Sequence, residues 1–308
     1  MNRKAKRYNG GRDPDEKFEA SMIGKIALFL GPFMLGIVIF TIYPFINAFL
    51  MSFKENFSIL RNTFSGWGLA NYRKVLNDTI FLSGLKTTIK YVVIVVPISL
   101  IISIVIAVLL NNTRRFKAIL QTAYFMPLVT STAAISLVFR FIFANEGGLI
   151  NKIITTLGQT QINFLGTNRW SEFVLYIFGI WNILPFTIIL LLAGLQNIDP
   201  QYYTAAKVDG AKTLDIFTNI TVPLLSPTIA LVAIVNSISA FKVFDYVFQL
   251  YNKPGPGYNL YTIIYYIYEK FGGTKPQYGY AAAASIVLFF IIAVFTLLQR
   301  VLQKKTNY

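Results

Sequence analysis

Cysteine and histidine are both absent from this chain of 308 residues. Without cysteine the chain cannot form disulfides or thiolate metal sites, and without histidine it offers no imidazole ligand. The same absences exclude Ser-His and Cys-His catalytic pairs. We therefore expect no metal site, no catalytic residue and no cofactor bound by this chain.

Charged residues are also scarce. They make up 13% of the chain, whereas hydrophobic residues make up 55%. A soluble domain carries about a quarter charged residues, so this composition indicates an integral membrane protein. The net charge of +15 is then better explained by membrane orientation and lipid headgroups than by nucleic-acid binding.

Long apolar runs are abundant. A bilayer core of about 30 Å needs about 20 apolar residues per helix, and lipid-exposed backbone must satisfy its hydrogen bonds internally, which favours helices over strands. The sequence predicts an all-α membrane protein with six transmembrane helices, as a domain of residues 23–302 between a basic N-terminal segment, 1–22, and a short tail, 303–308. The predicted spans are 23–53, 84–111, 118–143, 170–195, 224–250 and 280–302.

Basic residues near the N-terminus predict the orientation. The cluster consists of Arg3, Lys4, Lys6, Arg7, Arg12, Lys17 and Lys25. By the positive-inside rule this segment stays in the cytoplasm, and an even number of crossings returns the C-terminus there. Arg114, Arg115 and Lys117 lie in the loop between the second and third predicted spans, which this orientation also places in the cytoplasm. The first apolar run is too long for the core of a signal peptide, so we interpret it as a membrane helix.

The interiors of the predicted spans contain prolines and polar groups. Proline removes a backbone hydrogen bond and bends a helix, which suits a protein that moves, although ordinary helix packing is an alternative. The prolines are Pro32, Pro44, Pro97, Pro127, Pro185, Pro223 and Pro227.

The fifth predicted span is the most polar. Asn236, Ala240 and Val243 follow i, i+4, i+7 spacing and are expected to share a helix face, with Ser239 beside it. Ionisable groups at membrane depth usually face a bundle interior or a cavity. Lys242 and Asp245 stand at i, i+3, which permits an ion pair, and direct contact with a substrate is the alternative.

In the fourth predicted span, Trp181, Asn182 and Phe186 form an aromatic and amide cluster. Aromatic faces and amides suit stacking and hydrogen bonding to a polyhydroxylated ligand. Packing of Trp181 in the core or against lipid is the alternative.

The polar loop 196–223 lies between the fourth and fifth predicted spans. Asp199 is a typical N-cap, Pro200 is typical of a first helical position, and Gly210 allows a left-handed turn at a helix end. The sequence predicts a helix over 201–208, a turn, and a second short helix over 213–220, on the cytoplasmic side. Ala205 and Ala206 are small, so a partner surface can approach the backbone closely there.

The same loop resembles the "EAA" motif of permeases from binding-protein-dependent ABC importers of the maltose and glycerol-3-phosphate class. The matching pattern is Ala-Ala-x-x-Asp-Gly-Ala, followed by Phe217, Ile220, Val222, Pro223 and Pro227. Further matches to this class extend over most of the chain. They include Trp67-Gly68-Leu69 with Asn71-Tyr72, residues 81–88, Gly148-Leu149-Ile150-Asn151, residues 193–198, Gly255-Pro256-Gly257 and Tyr278-Gly279-Tyr280-Ala281-Ala282.

The resemblance implies a type I importer permease in a bacterial cell membrane, which imports a carbohydrate by alternating access. Its partners would be a second six-helix permease, a cytoplasmic ABC ATPase dimer that binds ATP and Mg²⁺, and an external solute-binding protein. The coupling contact to the ATPase would come from Thr204, Ala205, Ala206, Asp209, Gly210 and Ala211. The substrate pathway would include Asn182, Phe186, Asn236, Ser239, Ala240 and Val243.

Two sequence features bear on coupling. The leading Glu of the motif is Thr204 in this chain, so a charged contact at that position is not expected. A Walker A loop, G-x-x-x-x-G-K-[ST], is absent, and Gly210-Ala211-Lys212-Thr213 does not match it. ATP hydrolysis is therefore expected from another polypeptide.

The alternative function is an ion-gradient-driven secondary transporter or a channel. Such proteins usually carry inverted repeats and buried carboxylates along an ion path. The sequence has no clear internal repeat, and the predicted spans contain few acidic residues, Asp245 among them. The sequence therefore favours the importer permease.

Overall fold

The computed structural model of the protein describes residues 14–59, 61, 63–112, 122 and 126–306. It is 78% helical with little strand, which confirms the predicted all-α class. The chain divides into two compact units, Met1–Met51 and Ser52–Tyr308. Residues 1–13 and the basic loop at 114–117 lie outside the described residues, so the orientation stays a prediction.

The described elements follow one another along the chain as helices with one small hairpin. The helices are α1 (Pro14–Ile37), α2 (Tyr43–Ser52), α3 (Ala70–Asn77), α4 (Thr79–Asn112), α5 (Thr132–Ile142), α6 (Leu149–Thr156), α7 (Asn168–Gln196), α8 (Pro200–Val208), α9 (Thr213–Ile216), α10 (Val222–Phe241), α11 (Asp245–Tyr251), α12 (Ile263–Gly272) and α13 (Tyr278–Thr306). Strands β1 (Lys54–Glu55) and β2 (Gly66–Trp67) pair antiparallel, and π turns Val38–Ile42 and Phe217–Thr221 precede α2 and α10.

Five helical segments within the described ranges are long and apolar enough to cross a membrane. They are Lys25–Ser52, Thr79–Asn111, Asn168–Gln196, Thr213–Phe241 and Tyr278–Gln303. The predicted third span, 118–143, is not one continuous helix: residues 126–129 are helical, Thr130 and Ser131 break the helix, and α5 then resumes. Its first residues lie largely outside the described ranges, so the count of six stays a prediction.

The fifth span differs from its predicted bounds of 224–250. It begins at Thr213, because α9, the π turn and α10 run on without a break, and it ends at Phe241. The predicted loop 196–223 is therefore shorter than expected. After Phe241 the backbone leaves the helical conformation, and Phe244 has φ −154° and ψ −56° before α11 begins.

Each π turn ends two residues before a proline. Pro44 and Pro223 each occupy the second position of the helix that follows a π turn. A proline ring clashes with the carbonyl one turn earlier, and a π turn widens the helix by one residue at that point. In the second case Val222 N–H donates to the Phe217 carbonyl, and the Thr221 hydroxyl donates to the Ile216 carbonyl at 3.3 Å. By contrast, α-helix continues through Pro32, Pro97, Pro185 and Pro227.

The core of the second unit forms where α4, α7, α10, α12 and α13 meet. Its fully buried side chains include Tyr91 and Val95 of α4, Leu175 of α7 and Tyr266 of α12. Small residues let the helices approach closely, as is usual in membranes. At Gly179 of α7 an added Cβ would lie only 2.8 Å from the Cζ atom of Tyr91.

Two asparagines from the matched motifs organise the loops. The Asn71 amide donates to the Ser52 and Lys54 carbonyls at 2.9 and 3.0 Å, which ties α3 to the hairpin. Gly279 fits against this contact, since a Cβ there would lie 2.7 Å from Asn71 Nδ2. Asn151 accepts from Ile162 N–H at 2.9 Å and donates to the Ile162 carbonyl at 2.9 Å. These residues have a structural role, which pattern matching alone did not reveal.

Two polar contacts join distant elements near the ends of the spans. Lys90 of α4 forms an ion pair with Glu172 of α7. The Tyr266 hydroxyl donates to Asp78 Oδ2 at 2.8 Å and links α12 to the start of α4. Burial, and then the hydrogen bond to Asp78, raises the pKa of Tyr266 well above its ordinary value, so the phenol remains a neutral donor.

Candidate functional site

The predicted start of the loop helix is confirmed. Asp199 is the N-cap of α8, and its carboxylate accepts a hydrogen bond from the Gln201 N–H at 2.9 Å. Pro200 occupies the first turn, where its missing N–H would have no intrahelical partner. Local chemistry alone is therefore sufficient to begin a helix directly after the long span α7.

The predicted end of this helix is confirmed as well. Gly210 has φ +74°, and no atom of the described residues lies within 4 Å of the position that its Cβ would take. Gly210 N–H donates to the Lys207 carbonyl at 3.2 Å, and Ala211 N–H donates to the Ala206 carbonyl at 3.0 Å. These two bonds define a Schellman motif, in which the left-handed residue is usually glycine.

The residues predicted to contact an ATPase do not all face outward. Ala206 is only 8% exposed and packs within its own chain, so in this structure it supports α8 and offers no surface to a partner. Ala211 is partly buried. The residues that are exposed are Thr204, Ala205, Asp209 and Gly210.

Thr204, which stands where the motif has Glu, makes a contact of its own. Its hydroxyl donates to the Pro200 carbonyl at 3.2 Å, one turn earlier in α8. The side chain therefore caps a backbone carbonyl and brings no charge to the exposed face of the helix.

Exposed apolar side chains flank the Gly210 turn, and the motif comparison did not single them out. Val208 is 83% exposed and Leu214 is 71% exposed. Tyr202, near the start of α8, has a side chain that is 56% exposed. An apolar residue in a polar loop is a sequence signal that could have identified them. Exposed apolar patches of this kind usually mark an interaction surface.

The predicted pathway residues divide into two groups. Phe186 and Ser239 are exposed and Asn182 is partly exposed, whereas Asn236, Ala240 and Val243 are at most 3% exposed. Val243 lies beyond the end of α10, so the i, i+7 argument for its position was wrong. The helix ends before that residue, and its side chain joins the core.

Lys242 and Asp245 do not form the predicted ion pair. Lys242 is the C-cap of α10 and Asp245 begins α11, so the break between the two helices removes the i, i+3 geometry. Both side chains are exposed. Lys90 and Glu172 form the ion pair found within the described ranges.

Asn236 has an interior partner. Its amide donates to the Thr187 hydroxyl at 2.9 Å, and the two residues are 3% and 0% exposed. In this conformation the amide therefore links α10 to α7. Its role as a substrate contact stays a prediction.

A test of this link uses Thr187→Val, which removes the hydroxyl and nearly preserves the volume. The Asn236 amide would then be buried without its acceptor, and we expect a loss of roughly 0.5–2 kcal/mol in stability. The measurement is the melting temperature of the purified protein in detergent. Thr187→Ser keeps the hydroxyl and serves as the control, and a Thr187→Val variant that melts like wild type would contradict the link.

No group of three or more acidic side chains that could hold a metal ion occurs in the part of the chain that the structure describes. The geometry instead consists of long apolar helices, a capped and exposed helix between two of them, and aromatic and amide side chains on α7 and α10.

Comparison with known proteins shows which family has this arrangement of helices. Residues 99–308 match a family profile described as "Binding-protein-dependent transport system inner membrane component". The chain is 34% identical to the arabinooligosaccharides transport system permease protein AraP of Bacillus subtilis (strain 168), over 88% of this chain and 86% of that protein. It is 31% identical to the lactose transport system permease protein LacF of Rhizobium radiobacter, over 88% of this chain and 91% of that protein.

A solved structure shares the fold. One chain of the bacterial alginate ABC transporter, in complex with an alginate pentasaccharide-bound periplasmic protein, superimposes with a TM-score of 0.82. The match covers 94% of this chain and 97% of the other at 21% identity, so the likeness concerns the fold.

Proposed function

Because the chain belongs to the family of inner membrane components of binding-protein-dependent transport systems, we propose that it is one permease subunit of an ATP-driven oligosaccharide importer. The observation that carries the substrate class is the 34% identity to an arabinooligosaccharide permease over 88% of the chain. The lactose permease at 31% identity supports the same class. We further propose a bacterial cell membrane as its location.

The partners follow from the same proposal. A second six-helix permease would complete the pathway, and a solute-binding protein would deliver the sugar. The similar alginate transporter was solved with a periplasmic protein carrying a pentasaccharide, which supports such a partner. ATP and Mg²⁺ would bind to a separate ATPase dimer, since the sequence contains no Walker A loop.

Coupling to that ATPase would pass through α8 and the Gly210 turn. The exposed Ala205 leaves the helix backbone accessible, and Val208 and Leu214 present apolar surface on both sides of the turn. A partner that covers these side chains gains the hydrophobic free energy of their burial. Thr204 brings no charge, so shape and apolar burial would carry the contact.

The sugar pathway would follow the exposed side chains on α7 and α10. Phe186 offers an aromatic face, and Asn182 and Ser239 offer hydrogen-bonding groups. Asn236 and Ala240, which are buried in this structure, would join the pathway only after α7 and α10 move apart during alternating access.

The test is transport by the reconstituted complex. The chain, its co-purifying permease and its ATPase are placed in liposomes, with ATP inside and a sugar-loaded binding protein outside. Labelled arabinose, arabinotriose, lactose and maltotriose form the substrate panel. We expect uptake of at least one of these sugars that requires both ATP and the binding protein. Uptake driven by a proton or sodium gradient without ATP would contradict the proposal and favour a secondary transporter.

A further inference from the structure

An aromatic surface lies on the side of the membrane opposite to α8. The span Thr213–Phe241 separates α8 from residues 242–277, and the span Tyr278–Gln303 follows them. One membrane crossing therefore lies between α8 and the pair α11 and α12. This separation holds whichever way the chain is oriented. With α8 on the side of the ATPase, as proposed above, α11 and α12 lie on the side from which a sugar would enter during import.

Four rings on this side that are at least partly exposed contact one another, and we name them the aromatic platform: Phe244, Phe248, Tyr265 and Tyr268. Phe244 lies at its centre, with ring centroids 4.9 Å from Tyr268, 5.6 Å from Tyr265 and 5.8 Å from Phe248. Phe248 and Tyr268 are also in contact, at 6.0 Å. The platform thus connects three parts of the chain: the residues between α10 and α11, the helix α11, and the helix α12.

The platform lies at the margin of the core: Tyr265 packs against the buried cluster, whereas Phe248 and Tyr268 are exposed. On α12, Ile263 and Tyr266 are 0% exposed, whereas Tyr268 is 48% exposed. On α11, Val247 and Leu250 face the core, whereas Phe248 is 37% exposed. Both helices thus bury an apolar face and also carry aromatic rings on the face where polar residues are usual. Aromatic side chains exposed in this way are available for binding.

Polar groups accompany the rings. Lys242 and Asp245 are exposed on either side of Phe244 in sequence and are not paired with each other. Tyr265 and Tyr268, whose rings are 6.2 Å apart, each carry a hydroxyl, and the Tyr268 side chain is exposed. The rings are inclined to one another, at 41° for Phe244 and Tyr268 and 61° for Phe248 and Tyr268. Exposed ring faces, with hydroxyls on two of the rings and a carboxylate and an ammonium within two residues of Phe244, match the chemistry of a sugar ring, which has an apolar C–H face and a rim of hydroxyls.

We propose that the aromatic platform is a carbohydrate-binding subsite, on which the rings of an oligosaccharide stack before they enter between the spans. Asp245 accepts hydrogen bonds from sugar hydroxyls, and Tyr265 and Tyr268 contribute both ring faces and hydroxyls. The subsite is distinct from the pathway residues on α7 and α10. The proposal rests on the proposed function, because it requires that the imported solute be a sugar.

The test compares ring-removing variants in the reconstituted complex at saturating sugar-loaded binding protein. We expect Phe248→Leu and Tyr268→Leu each to lower the initial rate of arabinotriose uptake about tenfold, because each removes one stacking surface. Both side chains are exposed, so these changes leave the core intact. Tyr268→Phe, which keeps the ring, is expected to retain most of the uptake. Uptake of arabinose, which has one ring, is expected to fall less in the two Leu variants than uptake of arabinotriose.

The matched control is Phe271→Leu. Phe271 lies on the same helix and is 57% exposed, but it contacts Tyr278 and is not part of the platform. We expect its uptake to equal that of wild type. The affinity of the complex for the loaded binding protein is measured in parallel and is expected to be unchanged in every variant.

Each other outcome has a distinct meaning. Wild-type uptake in both Leu variants would overturn the platform and leave the proposed function intact. Weaker association with the binding protein, with normal uptake once that protein saturates, would overturn the sugar subsite in favour of a protein-docking surface. Absence of sugar uptake by the wild-type complex would overturn the proposed function, and the platform with it.

Discussion

A Gly210→Pro permease is expected to assemble with its ATPase but to lose almost all ATP hydrolysis that is stimulated by the loaded binding protein. Gly210 has φ +74°, whereas proline fixes φ near −65°, so the left-handed turn after α8 cannot form. Proline also removes the N–H that donates to the Lys207 carbonyl at 3.2 Å. The end of α8 would unravel on the surface proposed to meet the ATPase. We expect stimulated ATPase activity to fall at least about tenfold.

Gly158→Pro is the matched control. Gly158 has φ +77°, its N–H donates to the Thr155 carbonyl at 3.0 Å, and its Cβ position is likewise free of neighbours among the described residues. The backbone strain is therefore the same, but Gly158 lies between α6 and α7, one long span away from α8. We expect this variant to keep stimulated ATPase activity.

Ala205→Glu tests the docking surface without disturbing the turn. Ala205 is exposed, so a larger side chain is tolerated in the isolated chain but would obstruct a partner that approaches α8 closely. We expect loss of stimulation with normal insertion, and Ala205→Ser, which adds little volume, is expected to behave like wild type. Full stimulation in both Gly210→Pro and Ala205→Glu would remove α8 from the coupling mechanism.

The second large effect is expected from Gly179→Ala, where α7 packs against Tyr91 of α4. The added methyl group would meet the Tyr91 hydroxyl and lie 2.8 Å from its Cζ atom. Tyr91 cannot move aside, because it is 1% exposed and its hydroxyl is hydrogen-bonded to that of Tyr246 at 2.8 Å. Overpacking of this kind costs about 1–3 kcal/mol, so we expect a lower melting temperature and a lower yield of folded protein.

Two further variants locate the cause of this effect. Gly272→Ala adds the same methyl group where no described atom lies within 4 Å, and we expect its melting temperature to match that of wild type. Tyr91→Phe removes the nearest atom, so Gly179→Ala combined with Tyr91→Phe is expected to lose less stability than the two single changes together. Additive losses would show that the helices do not meet at this pair.

The features that the sequence predicted well depend on local chemistry. The N-cap Asp199, the adjacent Pro200 and the left-handed Gly210 each act within a few residues, so their pattern sufficed to place α8. The span 170–195 was predicted almost to its observed bounds of Asn168–Gln196 because hydropathy is summed along the chain.

The errors arose where neighbours distant in sequence decide the outcome. The fifth span was extended past Phe241, since the apolar residues Val243 and Val247 continue the hydropathy pattern although the helix has ended. Asn236 and Ala240 are buried in this structure, which the spacing along the helix did not indicate, and their place in the pathway stays a prediction. A helical pattern shows which residues share a face, but it does not show what covers that face.

By itself the sequence determined that this is an all-α membrane protein, that its chemistry cannot depend on cysteine or histidine, and that a capped helix follows the span ending at Gln196. These three properties follow from the amino-acid composition and from hydrogen bonds made within one helical turn. The tertiary structure alone decided that Ala206 faces inward, that Lys242 and Asp245 are separated by a helix break, and that the rings of α11 and α12 meet in an exposed platform. Burial and ring contacts depend on which helices pack together, and residues far apart in the chain determine that packing.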